Sequence, residues 1–184
     1  MAIGDVNIIA EVTQTLTDLL SGLDVTLDSP ADLRGEQGNF QKVNLYLYQV
    51  LEHAYTKNQP PYAIDANTQH YPPLTLRLYY LLTPYASDPA SAHKVLGHAM
   101  RIFYDNALLA ETQMTETLRL ATDKLAIVLL SAKLEDLTRI WNALQTPYRL
   151  SVCYEVRVVP IESTRNDASR RVLTKTDIFS PTPT

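Results

Sequence analysis

The sequence has a single cysteine, five glycines and no long apolar run. With Cys153 alone, neither an intrachain disulfide nor a cysteine-based zinc site can form, which is typical of a protein of the reducing cytoplasm. No apolar run approaches the roughly 18 residues needed to cross a bilayer. The N-terminal residues also lack a basic segment followed by an uninterrupted apolar one. We therefore expect neither a secretion signal nor a membrane-spanning helix.

The charge balance shows no excess of basic residues. Sixteen lysines and arginines stand against twenty acidic residues, which gives a net charge of −4 and a pI near 5.5. Such a chain lacks the positive surface that nucleic acid or an anionic membrane attracts, so we expect neither as a partner. Its 46% hydrophobic and 20% charged residues are typical of a globular domain.

The sequence also lacks the side-chain spacings of known catalytic and ligand-binding motifs. His93 and His98 are five residues apart, which places them on different faces of a helix, and no HExxH motif is present. The segment Gly35–Asn39 has no P-loop lysine. Cys153 has no neighbouring base, so a small packed residue is a better interpretation than a nucleophile. We expect no catalytic, cofactor-binding or metal-binding residues.

The clearest pattern lies between Leu134 and Ile161, where the hydrophobic period changes from helical to extended. Four apolar residues recur at helical spacing after Ser131, the expected N-cap, and Pro147 ends the helix. From Leu150 onward the period is two, which predicts a half-buried strand. The helical face consists of Leu134, Leu137, Trp141 and Leu144. The expected buried strand face consists of Leu150, Val152, Tyr154, Val156 and Val158.

The remaining periodicity predicts an α/β (α+β) fold in one domain, residues 1–162, followed by a C-terminal arm, residues 163–184. We expect a mixed, largely antiparallel sheet of about four to five strands flanked by amphipathic helices. The predicted strands lie near 43–50, 74–83, 125–130 and 150–161. The predicted helices lie near 5–21, 89–106 and 134–144, and the second begins at Asp88 followed by proline.

Three surfaces are predicted to meet another subunit or partner. The first is the strand face opposite the valines, with Ser151, Glu155 and Arg157. The second is the arm, which contains Arg165, Arg170 and Arg171 and is expected to be flexible in the monomer. Its β-prone segment 171–175 is suited to pairing with a neighbouring sheet edge. The third is the proline-rich segment 57–73, for which a simple surface loop is the alternative.

Several segments together resemble a known bacterial family. They are VNLYLYQVL from Val43, YPPLTLRLYYLLTPYA from Tyr71, AHKVLGHAMRIFYDNALL from Ala92, and LEDLTRIWNALQTPYRLSVCYEVRVVPI from Leu134. Over residues 5 to 162 the chain resembles the tail-terminator, or cap, proteins of extracellular contractile injection systems of the antifeeding-prophage and virulence-cassette type. It departs from the family pattern after the first strand, where an asparagine and an arginine are usual.

The resemblance implies a structural protein without enzymatic activity or cofactor. It implies a hexameric ring at the end of a contractile tail, with the inner tube and the sheath as partners. Assembly would take place in the cytoplasm, within a phage tail-like particle that can be released. Another tail or baseplate adaptor remains the alternative within the same class. A small cytoplasmic enzyme that uses Cys153 or the histidines remains the alternative from a different class.

Overall fold

The computed structural model describes residues 7–33, 41–54, 59–63, 68–122, 124–161, 163 and 165–168. The strands are β1 Asp24–Thr26, β2 Gln41–Glu52, β3 Tyr62–Ala63, β4 Thr68–His70, β5 Leu74–Ala86, β6 Leu108–Leu109, β7 Leu125–Leu130, β8 Val152–Ile161 and β9 Asn166–Ala168. The helices are α1 Ile8–Leu19, α2 Pro89–Asp105, α3 Glu116–Ala121 and α4 Leu134–Ala143, and a 3-10 turn spans Glu111–Gln113.

The main sheet has six strands in the order β1-β2-β5-β8-β7-β6. The β1–β2 pair is parallel and the other four pairs are antiparallel, which confirms the prediction of a mixed, largely antiparallel sheet. The four strands predicted from the sequence are the four in the middle. Two short edge strands, β1 and β6, bring the total above the four to five that periodicity indicated. A smaller sheet has the order β3-β4-β9.

One face of the main sheet is covered by α1, α2 and α3. The helices bury apolar residues at helical spacing, for example Val95, Ala99 and Phe103 on α2. This face of β5 contributes alternate residues, including Leu78 and Tyr80, to the same cluster. Helices α1, α2 and α4 occupy the three regions predicted to be helical, so the flanking amphipathic helices are confirmed.

Helix α2 begins where the sequence predicted. Asp88 is its N-cap, with an extended backbone, and its side chain accepts a hydrogen bond from the Ser91 amide at 2.9 Å. Pro89 follows at the first helical position, where its missing amide proton costs nothing. Helix α3 has a similar start at Thr115, whose hydroxyl accepts from the Leu118 amide at 3.4 Å. No helix was predicted there because its six residues are too few for a periodic signal.

The alternation predicted for β8 holds only over part of the strand. Leu76 pairs with Val159, but Arg77 pairs with Arg157, so the register skips Val158. This bulge places Val159 in the main core together with Val156. The predicted buried stripe is wrong at Leu150, which is exposed before the strand begins.

Helix α4 lies on the opposite face of the main sheet. Leu137 and Trp141 pack against Leu81 and Cys153 in a second apolar cluster. Helix α4 thus buries the face that the sequence suggested was open. Two details differ from prediction: Lys133 rather than Ser131 is the N-cap, and Leu134 is exposed.

Candidate assembly surfaces

The end of α4 is fixed to the start of β8 by Trp141. Its indole Nε1 donates a hydrogen bond to the Ser151 hydroxyl at 3.0 Å, and that hydroxyl donates to the Arg149 carbonyl at 3.2 Å. Gln145, with a φ of 54°, turns the chain back after the helix. Tyr148 then meets the indole edge to face, with ring centroids 6.4 Å apart. Trp141 is thus a buried packing residue, as the sequence predicted.

Cys153 is enclosed in the second apolar cluster and has 1% of its surface exposed. Burial raises the pKa of its thiol, and a hydrogen bond with Tyr48 opposes that shift only in part. A reactive cysteine needs an accessible thiolate, which this environment disfavours. The interpretation of Cys153 as a small packed residue is confirmed.

Glu155 lies in the middle of the main sheet, between Arg77 of the neighbouring strand β5 and Arg157 of its own strand β8. Its Oε1 accepts a short hydrogen bond from Arg77 Nε, and its Oε2 lies 2.8 Å from Arg157 Nη2. Tyr79 donates its hydroxyl proton to Oε1 across 3.5 Å. Burial alone would raise the pKa of Glu155, but the two arginines outweigh it and lower that pKa below its usual value.

The arginine–carboxylate cluster, defined as Arg77, Glu155 and Arg157, is shallow. The carboxylate has no exposed surface, whereas the side chains of Arg77 and Arg157 are 30% and 43% exposed. The arginines therefore cover the carboxylate and keep part of their own side-chain surface in solvent. A partner that approaches this part of the sheet meets positive charge, since two arginines surround one carboxylate.

These positions correct part of the predicted subunit surface. Ser151 and Glu155 were predicted to face a partner, but both are buried inside the monomer, because α4 and the two arginines cover this strand face. Arg157 and Arg165 remain accessible, so their role at an interface stays a prediction. Arg170 and Arg171 lie outside the described residues.

The first residues of the arm fold back onto the segment 57–73. Strand β9 pairs antiparallel with β4 through three residue pairs. The Arg165 guanidinium lies over the Tyr71 ring at 4.2 Å, and the Arg165 carbonyl accepts a hydrogen bond from the Tyr71 amide at 3.4 Å. The described part of this proline-rich segment is thus held by the arm. Its contact with a partner stays a prediction.

Exposed apolar residues mark a surface that the sequence did not indicate. A groove of about 530 Å³ lies between the end of α2 and β7, beside Tyr104 and Leu129. These side chains are 83% and 49% exposed. Because residues 125–130, LAIVLL, are apolar throughout, no pattern in the sequence distinguishes the exposed Leu129 from its buried neighbours. We call this feature the edge groove; its other apolar lining residues are Met100, Phe103, Ala107, Ile127, Val128 and Tyr154.

The described residues provide no arrangement for metal chemistry. No group of three histidine, cysteine or carboxylate side chains is close enough among them to hold an ion. His93 and His98 are both exposed on α2. No helix in the described part of the chain is long and apolar enough to span a membrane.

Two cryo-EM structures of related architecture contain this fold. The chain is similar to the PVC sheath/tube terminator of an extracellular contractile injection system in its extended state, with a TM-score of 0.67 and 20% identity. It is also similar to the tube-terminating cap of the anti-feeding prophage, with a TM-score of 0.62 and 18% identity. Each match covers 95% of this chain, but only 64% and 61% of the respective structures. The fold is therefore that of the greater part of a terminator protein.

The sequence assigns the chain to a family within that class. Residues 7–175 match the family of the Pvc16 N-terminal domain, and the chain belongs to this family. This agrees with the resemblance that the sequence segments indicated. No curated protein sequence matches the chain.

Proposed function

We propose that this protein is the cap that terminates the tail of a contractile injection system. In this role, six copies form a ring that closes the inner tube and contacts the last sheath layer. The observation that supports the proposal is the match of residues 7–175 to the Pvc16 N-terminal domain, together with a fold shared with two terminator structures over 95% of the chain.

The mechanism is steric. A tube grows because each ring offers a surface on which the next identical ring docks, and such head-to-tail contacts continue until a surface without a match is reached. A cap that fits the tube on one side and offers no matching second side ends this growth. The protein would assemble on the tail in the cytoplasm and leave the cell with the particle.

The protein is proposed to act by binding rather than by catalysis. The two similar structures are terminators, and the Cys153 thiol is buried and has a raised pKa. Replacing His93, His98 and Cys153 by alanine should therefore leave particle assembly intact. Loss of a defined turnover without loss of fold would instead support an enzyme.

The test is the length of particles made without the protein. We expect tubes or sheaths of uncontrolled length in electron micrographs, and a return to uniform length when the chain is supplied. Uniform length in its absence would contradict the proposal. If the labelled protein is found at the baseplate end, the adaptor function replaces that of the cap.

The ring is tested separately by native mass spectrometry. We expect hexamers in the presence of tubes. A monomer at all concentrations, with tubes present, would exclude the ring.

A further inference from the structure

The main sheet has a partly open edge on each side. Strand β1 pairs with β2 only at residues 42–44, and β6 pairs with β7 only at residues 125 and 126. Among the described residues, no strand lies against the outer side of β2 from Leu45 to Glu52, or of β7 from Val128 to Leu130. Open edges of this kind are templates for pairing with another chain.

The two open segments lie in the same rows of the sheet. Leu47 pairs with Tyr80, Tyr80 with Tyr154, and Tyr154 with Leu129. One row therefore connects the open part of β2 directly to the open part of β7. Two copies placed side by side without a shift along the strands would bring these segments together.

The backbone directions also match. The His53 amide donates to the Thr75 carbonyl at 2.8 Å, so His53 faces β5 and, by alternation, Val50 faces outward. On the other side, the Ile127 amide donates outward to the Ala107 carbonyl at 2.8 Å. Two residues further along, Leu129 therefore also points its amide and carbonyl outward. Both edges present backbone groups for an added strand.

Side chains at both edges are apolar and lie on one face. Cross-strand partners project to the same side of a sheet, so Val50 shares the face of Leu78, which is part of the main core. Leu129 pairs with Tyr154, which lies on the same face. Val50 is 40% exposed, and Leu129 borders the edge groove. A strand paired with β7 would place alternate side chains in that groove.

We propose that neighbouring copies of this protein join edge to edge, with β2 of one copy paired antiparallel to β7 of the next. Three antiparallel steps separate β2 from β7, so the two strands run in opposite directions within one copy. When neighbouring copies are related by a rotation about an axis parallel to the strands, each strand keeps its direction in every copy. Strand β7 of one copy therefore runs antiparallel to β2 of the next. The two surfaces differ, so the contact is head-to-tail, which gives a closed ring when the rotation between copies divides a full turn. This inference rests on the proposed ring.

Cysteine cross-linking tests the contact directly, because the native Cys153 is buried. A chain with both Val50→Cys and Leu129→Cys should give covalent ladders of oligomers with a short bis-maleimide in the presence of tubes. The control chain combines Val50→Cys with Leu120→Cys, since Leu120 is an exposed leucine on α3. It should remain monomeric on a denaturing gel.

Charge substitutions provide a second test. Lysine on an exposed edge opposes strand addition. Val50→Lys and Leu129→Lys should each reduce ring formation at least tenfold, whereas Leu120→Lys should not change it. The double variant Val50→Lys with Leu129→Glu should recover ring formation, because opposite charges then lie diagonally across every contact, on one face and within reach of each other.

The outcomes separate this inference from the proposed function. Edge-to-edge pairing would be overturned if rings form normally with Val50→Lys and Leu129→Lys and do not cross-link through positions 50 and 129. The proposed cap function would still stand. Cross-links from position 129 to a cysteine introduced at Leu173 would instead assign the β7 edge to the arm. If no ring forms for the unmodified chain with tubes, the proposed ring itself fails.

Discussion

At the scale of single residues, Glu155 differs most from its prediction, because the sequence pattern placed this carboxylate on an open strand face and the structure buries it. A carboxylate on a central strand loses its hydration, which is costly unless opposite charges replace the water. Arg77 and Arg157 provide these charges, and both arginines keep part of their surface in solvent. The cluster is therefore stable only as a unit.

Glu155→Gln should lower the free energy of unfolding at pH 7 by about 1–3 kcal/mol, because it leaves two adjacent arginines without their counter-charge. The lower end of this range reflects the exposure of the arginines. Urea denaturation measures the change. The matched control is Glu135→Gln, which removes an exposed ion pair with Arg139 and should cost less than about 0.5 kcal/mol.

The stability difference between the wild type and Glu155→Gln should also depend on pH. Because the pKa of Glu155 is lower in the folded state than in the unfolded state, its ionised form stabilises the fold. This contribution is present in full above the unfolded-state pKa, about 4.3, and is lost as the pH falls through the folded-state pKa. The difference in stability between wild type and Glu155→Gln should therefore shrink as the pH drops below about 4. A constant difference from pH 7 to pH 3 would show that the effect is not electrostatic.

At the scale of elements, α4 is held on its face of the sheet by a small cluster. Its attachment depends on Leu137 and Trp141, together with the hydrogen bond from the indole to Ser151. A buried donor that loses its acceptor keeps the full cost of desolvation. Loss of the Ser151 hydroxyl should therefore destabilise the fold more than loss of a solvent-exposed hydroxyl would.

Ser151→Ala should lower the free energy of unfolding by about 1–2 kcal/mol, because the Trp141 indole nitrogen is left without an acceptor. Chemical denaturation followed by tryptophan fluorescence measures it, since Trp141 is the single tryptophan. The exposed Ser21→Ala is the control and should be neutral. An unchanged midpoint for Ser151→Ala would mean that water replaces the hydroxyl at no cost.

The elements also show what the sequence could and could not predict. The three helices and the strands β2, β5 and β8 have enough residues for a period to be visible, and β7 is an unbroken apolar run, so all seven were predicted in place. The face of β8 with Tyr154 and Val156 was correctly predicted to be buried, but the opposite face was wrongly predicted to be open. Because α4 buries Cys153 from the second side, both faces of the strand are covered, and alternation alone does not reveal a covering helix distant in sequence.

The candidate surfaces were harder to predict for the same reason. Exposed Val50 and Leu129 have the residue types of a core, and only the sheet order reveals that they lie at its edges. Their open backbone groups leave no trace in the sequence. Arg157, in contrast, was predicted at the surface and is accessible there.

At the scale of the whole molecule, β9 joins the beginning of the arm to the smaller sheet. A chain truncated after Ala168 keeps β9, whereas a chain truncated after Glu162 loses it. We expect both to retain the main sheet, whose strands end at Ile161. Only the shorter chain should lose protection from hydrogen exchange at β4, residues 68–70, because β4 pairs with β9 there.

Assembly distinguishes the role of the rest of the arm. We expect both truncated chains to form fewer rings on tubes than the full chain, as measured by native mass spectrometry. If the chain ending at Ala168 assembles normally, residues 169–184 make no contribution to the ring.

The attachment of β9 has a mechanical consequence. Load applied to the chain beyond Ala168 acts first on three residue pairs between β9 and β4, which can separate one after another. Strand β8, in contrast, is bonded on both sides by β5 and β7, so its bonds must break together under shear. A pull on the arm should therefore separate β9 from β4, and lengthen the chain by a few residues, at a lower force than is needed to shear β8 from its neighbours.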